Sequence, residues 1–150
     1  MQLRIRVLIG IWLAVLALAP VPAPAAEPIV AYTIADGSRI DASLTGAAGN
    51  PDAGAALFFS AAPGGCAGCH GMPGTGGGGA ADLAGLGARR TPGEIRLWIV
   101  APEVIAPETG MPAFYAPGQR LEPDDPLYGG PALTAQQVED LVAYLSALGR

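Results

Sequence analysis

Cys66-Ala67-Gly68-Cys69-His70 decides the reading of this chain. Residues three apart on a helical turn share a face, so both thiols can reach one edge of a flat, bulky group. The next residue then turns its imidazole toward the centre of that group. C-x-x-C-H is the attachment pattern of a covalent c-type haem, with thioethers from Cys66 and Cys69 and His70 as the proximal ligand of the iron. Other readings of the same residues are weaker. A disulfide across such a turn occurs in thioredoxin-like sites, but no βαβ pattern surrounds this pair. A zinc site takes four ligands as a rule, and the chain has 2 cysteines and 1 histidine in all. Chance does not explain why the only histidine falls directly after the second cysteine.

The other side of the iron is filled by His or Met, or left open. No second histidine exists, and lysine is absent. Met1 belongs to the leader described below, and Met72 is too close to His70 in sequence to reach the opposite face. Met111 remains, in Thr109-Gly110-Met111-Pro112-Ala113-Phe114. Gly110 lets the backbone come close to a porphyrin, and Pro112 stiffens the chain just beyond. A methionine can also simply fill a gap in a small core. The ligand reading is preferred because a thioether suits haem iron and raises its potential.

Outward from the site, the N-terminus has the layout of an export signal. Arg4 and Arg6 precede an apolar run over residues 7–19, and Ala23-Pro24-Ala25 fits a cleavage site. Residues 1–25 are therefore expected to be a signal peptide. A membrane-spanning helix needs about 20 apolar residues, more than the run provides. All thirteen acids lie beyond the leader, facing six remaining arginines, for a net charge of −7. Such a chain is a poor candidate for binding nucleic acid or anionic lipid, and a basic or neutral partner surface fits it better. About 125 residues then remain, enough for one domain with one modest core.

Three helices are legible around the motif. Asn50-Pro51-Asp52 marks a start, with proline at the first helical position. That helix is expected over residues 51–59, ending before Pro63-Gly64-Gly65. Thr91-Pro92-Gly93-Glu94 is a capping box; it opens a helix whose Ile95, Trp98 and Ile99 share a face and which Pro102 closes. Thr134-Ala135-Gln136-Gln137 is a second capping box. Behind it Val138, Leu141, Val142, Leu145 and Leu148 form an apolar stripe up to Gly149. The rest reads as loop. Residues 71–79 are glycine-rich but lack the Lys-Ser/Thr ending of a phosphate loop. Asp124-Asp125, in the turn-rich stretch 117–131, reads as solvated acid rather than an acid–base pair. Arg89-Arg90 fits either a solvated pair or a partner for haem propionates. Trp98 reads as core, with its indole N–H available to a propionate.

This order of helix, C-x-x-C-H, loop, helix, Met-Pro loop and helix resembles the small all-α monohaem cytochrome c fold. The resemblance covers residues 50–150, with residues 26–49 as an N-terminal extended arm. It implies that Gly54 and Phe58 on the first helix pack against Tyr144 on the last. A closer resemblance is to the SoxX family, the monohaem subunits of SoxAX cytochrome complexes of thiosulfate oxidation. Ser43-Leu44-Thr45-Gly46, followed by Gly49-Asn50-Pro51 and Gly54, is similar to that family's S-L-T-G…G-D-P…G. Pro107-Glu108-Thr109-Gly110-Met111-Pro112 with Phe114 resembles its N-P-x-T-x-M-P-x-F loop. Leu133-Thr134 and the D-L-V-A-Y-L of residues 140–145 resemble its ending. There are departures. Ala106 replaces the Asn of the Met loop, and the G-N-C-L-A-C-H of the family reads here Gly65-Cys66-Ala67-Gly68-Cys69-His70. The G-P-x-L after the haem motif is missing. Its proline normally offers a carbonyl to the proximal histidine, so residues 80–86 leave open which carbonyl orients His70.

The resemblance implies a periplasmic electron-transfer subunit, without its own catalytic residues, that carries one covalent haem c. It would pair with a SoxA-type haem subunit. The complex would oxidatively couple thiosulfate to a cysteine of the carrier protein SoxYZ, and this chain would pass electrons to a downstream acceptor cytochrome. Both cysteines here are committed to haem, so the sulfur chemistry would belong to the partner. Two alternatives stand beside it. One is a free-standing His/Met carrier serving another dehydrogenase or oxidase. Against it, residues 28–49 look like an added arm of the kind that wraps a neighbour, although a mobile terminus gives the same pattern. The other is a haem enzyme or gas sensor with an open iron site, which requires Met111 to be displaced.

Overall fold

The computed structural model describes residues 28–62, 64–74, 79–119 and 129–149. The expected signal peptide and the Asp124-Asp125 pair lie outside the described residues. Asn50 starts the first helix. Its backbone is extended (φ −94°, ψ 115°) and its side-chain oxygen accepts from the amides of Asp52 and Ala53, with Pro51 supplying the preset first helical φ. The helix, α1, runs Pro51–Phe58, and Phe59 caps it. Next come α2 (Ala67–His70), α3 (Leu86–Arg89), α4 (Pro92–Val100), a 3₁₀ turn (Pro102–Val104) and α5 (Ala135–Ala147). Among the described residues there is no strand; an isolated bridge joins Ala35 and Arg39. The fold is all-α, as the sequence implies.

Both predicted capping boxes form. Thr91 Oγ1 accepts from the Glu94 amide while the Glu94 carboxylate accepts from the Thr91 amide; Thr134 and Gln137 repeat the exchange at the start of α5. These reciprocal bonds satisfy amides that a helix start otherwise leaves orphaned.

The closest helix pairing is α1 on α5, and a glycine sets its spacing. A Cβ on Gly54 would lie 2.0 Å from the Asp140 carbonyl oxygen and 2.8 Å from Tyr144 Cβ. No larger residue fits there. One turn on, the fully buried Phe58 ring meets Tyr144 at a centroid distance of 5.3 Å, and Phe59 stands edge-on to Phe58 at 4.9 Å. The Asp140 carboxylate completes the pairing by accepting from the Asn50 amide at 2.7 Å.

Helix α4 lies deeper than its sequence pattern indicates. Ile95 and Ile99 are buried as expected, but so are Arg96, Leu97 and Val100, and Trp98 is only half-buried. The single-face reading fails because α4 is covered from two sides, by α5 and by the arm. The Ile40 amide donates to the Gly93 carbonyl at 3.0 Å, and Ile40 and Leu44 are buried in the core. Arg96, with 6% of its side chain exposed, forms an ion pair at 2.8 Å with Glu139, which is 2% exposed. The pair is bidentate, Nε to Oε1 and Nη2 to Oε2. Glu139 Oε1 also accepts from the Leu44 amide at 2.8 Å, and Arg96 Nη1 donates to the Ile40 carbonyl. Arm, α4 and α5 therefore meet on one buried polar knot. The arm packs on the chain's own core, and the Val30 amide adds a bond to the Tyr115 hydroxyl at 2.9 Å.

Helix α3 has no signal in the sequence. It is four residues long, follows a left-handed Gly85 and has no side-chain cap. Tertiary contact holds it: the Gly87 amide donates to the Leu148 carbonyl at 2.9 Å, and a Cβ on Gly87 would lie 2.0 Å from the Ser146 carbonyl oxygen. The end of α5 thus anchors the segment that follows the haem motif.

Candidate haem-binding site

The motif lies on one helical turn. Cys66 has helical dihedrals (φ −63°, ψ −29°) and precedes α2. Its carbonyl accepts from the amides of Cys69 and His70 at 3.1 and 2.9 Å. Gly71, with φ +69°, then turns the chain away in a conformation that favours glycine. Ahead of the motif, a Cβ on Gly65 would lie 2.0 Å from the Ser60 carbonyl oxygen, so the turn sits hard against the exit of α1.

The two thiols are unbonded to each other and differ in setting: Cys66 is half-buried against the core, and Cys69 is exposed. Burial pushes the Cys66 thiol up to about 11. Its Sγ also donates to the Gly64 carbonyl at 3.1 Å.

His70 Nδ1 lies 2.8 Å from the Ala81 carbonyl oxygen. A carbonyl can only accept, so Nδ1 carries the proton and Nε2 keeps its lone pair for a metal. This identifies the carbonyl that the sequence left open. Backbone acceptors have no residue signature, which is why only the three-dimensional arrangement finds it. The loop between them is closed next to this bond, where the Ala80 amide donates to the Cys69 carbonyl at 3.1 Å.

Met111 is on a separate loop, half-buried, after the 3₁₀ turn. Its amide donates to Thr109 Oγ1 at 3.2 Å. The loop is lashed to the core where it leaves: the Phe114 amide donates to the Ile99 carbonyl at 3.1 Å and the Leu133 amide to the Phe114 carbonyl at 3.0 Å. The other candidates are engaged elsewhere or exposed. Arg90 forms an ion pair with Glu94 at 2.9 Å, the Arg89 guanidinium donates to the Ala84 carbonyl, and Met72 is 59% exposed.

The donor set fits haem c. Two thiols and an imidazole with a free Nε2 share one turn, and a thioether is available from another loop. Among the described residues, no three His, Cys, Asp or Glu side chains converge as a bare metal ion would require. A porphyrin would bring four nitrogens of its own and would need few further donors, for which His70 and Met111 are the candidates. Among the described residues no helix is long and apolar enough to cross a membrane.

The comparisons agree with this geometry. The family model for cytochrome c matches residues 51–149, and the chain belongs to the cytochrome c family. That membership implies a covalent haem c, for which Cys66 and Cys69 fit the attachment motif. Among solved structures, the chain is similar to one described as the crystal structure of SoxXA from P. pantotrophus. The identity is 34% and the TM-score 0.66, over 79% of this chain and 95% of that one. Family and structure together support a SoxX-type cytochrome with the all-α monohaem cytochrome c fold. No curated protein sequence matches the chain.

Proposed function

We propose that this chain is the electron-transfer, SoxX-like subunit of a SoxAX complex that oxidatively couples thiosulfate to a carrier-protein cysteine. The observation that carries the reading is the His70–Ala81 bond on the same turn as both cysteines. It presets one imidazole nitrogen for iron beside two thiols placed for thioethers. Cys66 and Cys69 would hold the haem, and His70 and Met111 would ligate its iron. Bound there, haem supplies a reversible one-electron couple.

The chain's own residues explain why it carries electrons rather than transforms substrate. With His70 and Met111 both on the iron, no coordination position remains open, and neither cysteine is free for sulfur chemistry. The Ala81 carbonyl holds the His70 ring by its Nδ1, and thioethers from Cys66 and Cys69 would fix the group beside it. The solved relative is a SoxXA structure, which supports a SoxA-type subunit as partner; SoxYZ as the carrier and a downstream cytochrome as acceptor are part of the SoxX-like reading itself. Residues 1–25, read as a signal peptide, support a periplasmic location.

A second reading is a free-standing carrier for another dehydrogenase or oxidase. The arm favours it, since Ile40 and Leu44 are buried in this chain's own core and need no neighbour. Affinity purification of the mature protein from its native periplasm separates the two. A stoichiometric second haem subunit with thiosulfate-dependent coupling to SoxYZ is expected. A lone monohaem chain, inert with thiosulfate under conditions that preserve complexes, would leave the free-standing carrier.

A further inference from the structure

The loop that follows the haem motif contains Gly71, Gly74 and residues 76–79, all glycine, a composition that does not by itself dictate one backbone path. It nevertheless has to present one carbonyl, that of Ala81, to His70. The G-P-x-L whose proline offers that carbonyl in the family this chain resembles is missing here. The structure supplies a different tie. Asp82 Oδ1 accepts from the Gly74 amide at 2.9 Å and from the Ala84 amide at 2.8 Å. One carboxylate oxygen thus clips the start of the loop to its end. The same two amides, Gly74 first, hold the Asp82 carboxyl below the usual carboxylate range.

Asp82 matters for His70 because of where it is bonded. The peptide that carries the Ala81 carbonyl ends at the Asp82 nitrogen, so fixing Asp82 from both sides fixes that peptide plane. The ties on the two arms of the loop run in register: Ala80 amide to Cys69 carbonyl at 3.1 Å, His70 to Ala81 carbonyl at 2.8 Å, and Gly74 amide to Asp82 carboxylate at 2.9 Å. The first is backbone to backbone, and the last is the one whose side chain can be changed without altering a motif residue.

We propose that Asp82 is a positioning residue for the haem: it aims the Ala81 carbonyl at His70 Nδ1 and thereby tunes the ligand strength of His70. This rests on the reading of His70 as an axial ligand to covalent haem. A well-aimed acceptor at Nδ1 makes the imidazole a better donor, which favours ferric iron. Losing the aim favours ferrous iron and raises the potential.

The experiment compares the haem-loaded protein with Asp82→Ala, Asp82→Asn and Asp82→Glu, by redox titration and by amide hydrogen exchange at Gly74 and Ala84. Asp82→Ala is expected to speed exchange at both amides. It should raise the potential by the equivalent of about a tenfold change in the redox equilibrium, roughly 59 mV for one electron. Asp82→Asn keeps an oxygen that can accept both amides, so it should stay within about twofold of wild type in the redox equilibrium, roughly 18 mV. Asp82→Glu keeps the charge but displaces the acceptor by a methylene, and should move with Asp82→Ala. Three results would overturn the proposal: exchange unchanged in Asp82→Ala; exchange accelerated with the potential still within twofold; or a potential that follows charge, with Asn moving and Glu not. A wild-type chain isolated from a haem-attaching host without covalent haem would instead defeat the haem reading itself.

Discussion

Replacing Glu139 with leucine tests the polar knot beneath the fold. The change leaves the Arg96 guanidinium, 6% exposed, without its carboxylate, and leaves the Leu44 amide without its acceptor. Removing one member of a buried ion pair costs about 3–5 kcal/mol, and an orphaned buried amide about 1–3 kcal/mol. These share atoms and do not simply add. A loss of about 4 kcal/mol is expected, a large part of the roughly 5–15 kcal/mol of a typical domain. Urea unfolding of the haem-loaded protein reads it, since covalent haem is common to both variants and cancels in the difference. The double variant Arg96→Met with Glu139→Leu buries no unpaired charge. It leaves the Leu44 amide and the Ile40 and Asp41 carbonyls short of partners, but no charge, so it should be more stable than Glu139→Leu alone. A single variant costing under about 1 kcal/mol, or a double variant worse than the single, would refute the reasoning.

Four further outcomes follow from the geometry. Gly54→Ala should destabilise by about 1–3 kcal/mol or more, because its Cβ would stand 2.0 Å from the Asp140 carbonyl oxygen; thermal unfolding measures it. Met111→Ala should open the iron, so that the haem-loaded variant binds carbon monoxide and its potential falls, whereas unchanged low-spin spectra would remove Met111 from the ligand set. In haem-free unfolded-and-refolded protein, Cys69 should alkylate faster than Cys66, whose thiol burial pushes up to about 11; peptide mass mapping at mildly alkaline pH distinguishes them. The Glu94 carboxyl is held below its ordinary 4.5, chiefly by the Thr91 amide. A lowered carboxyl stabilises the fold above its unfolded value and loses that contribution as pH falls through the folded value. Acid titration followed by amide exchange in α4 should therefore show the helix start loosening below about pH 4.5, and Glu94→Gln should flatten that dependence.

The parts of the fold that read directly from sequence are those set by local chemistry. Asn50, Thr91 and Thr134 announce helix starts because capping needs a side-chain acceptor at a fixed offset. The haem motif carries its own geometry, and Gly54, Phe58 and Tyr144 fell together as the family resemblance implied. What sequence missed depended on contacts between distant segments. Arg96 on a helix otherwise rich in apolar residues gives no hint that Glu139 waits on α5, or that the Leu44 amide completes the site. Helix α3 owes its existence to Leu148 and Ser146 rather than to any cap. The acceptor of His70 is a backbone atom of an alanine, chosen by loop closure and invisible in residue identity. Met111 stands out in the sequence through the absence of competitors and through the Gly-Met-Pro loop around it, and its role as ligand is decided by the spectroscopy of the variant above.

The most direct test of the proposed function is reduction of this chain's own haem by thiosulfate. Oxidised protein, a SoxA-type partner and SoxYZ are mixed with thiosulfate, and the haem spectrum is followed as each component is left out in turn. The account predicts reduction with the complete set and none when the partner, SoxYZ or thiosulfate is missing. Haem that stays oxidised in the complete mixture, although a chemical reductant reduces it readily, would contradict the SoxX-like assignment.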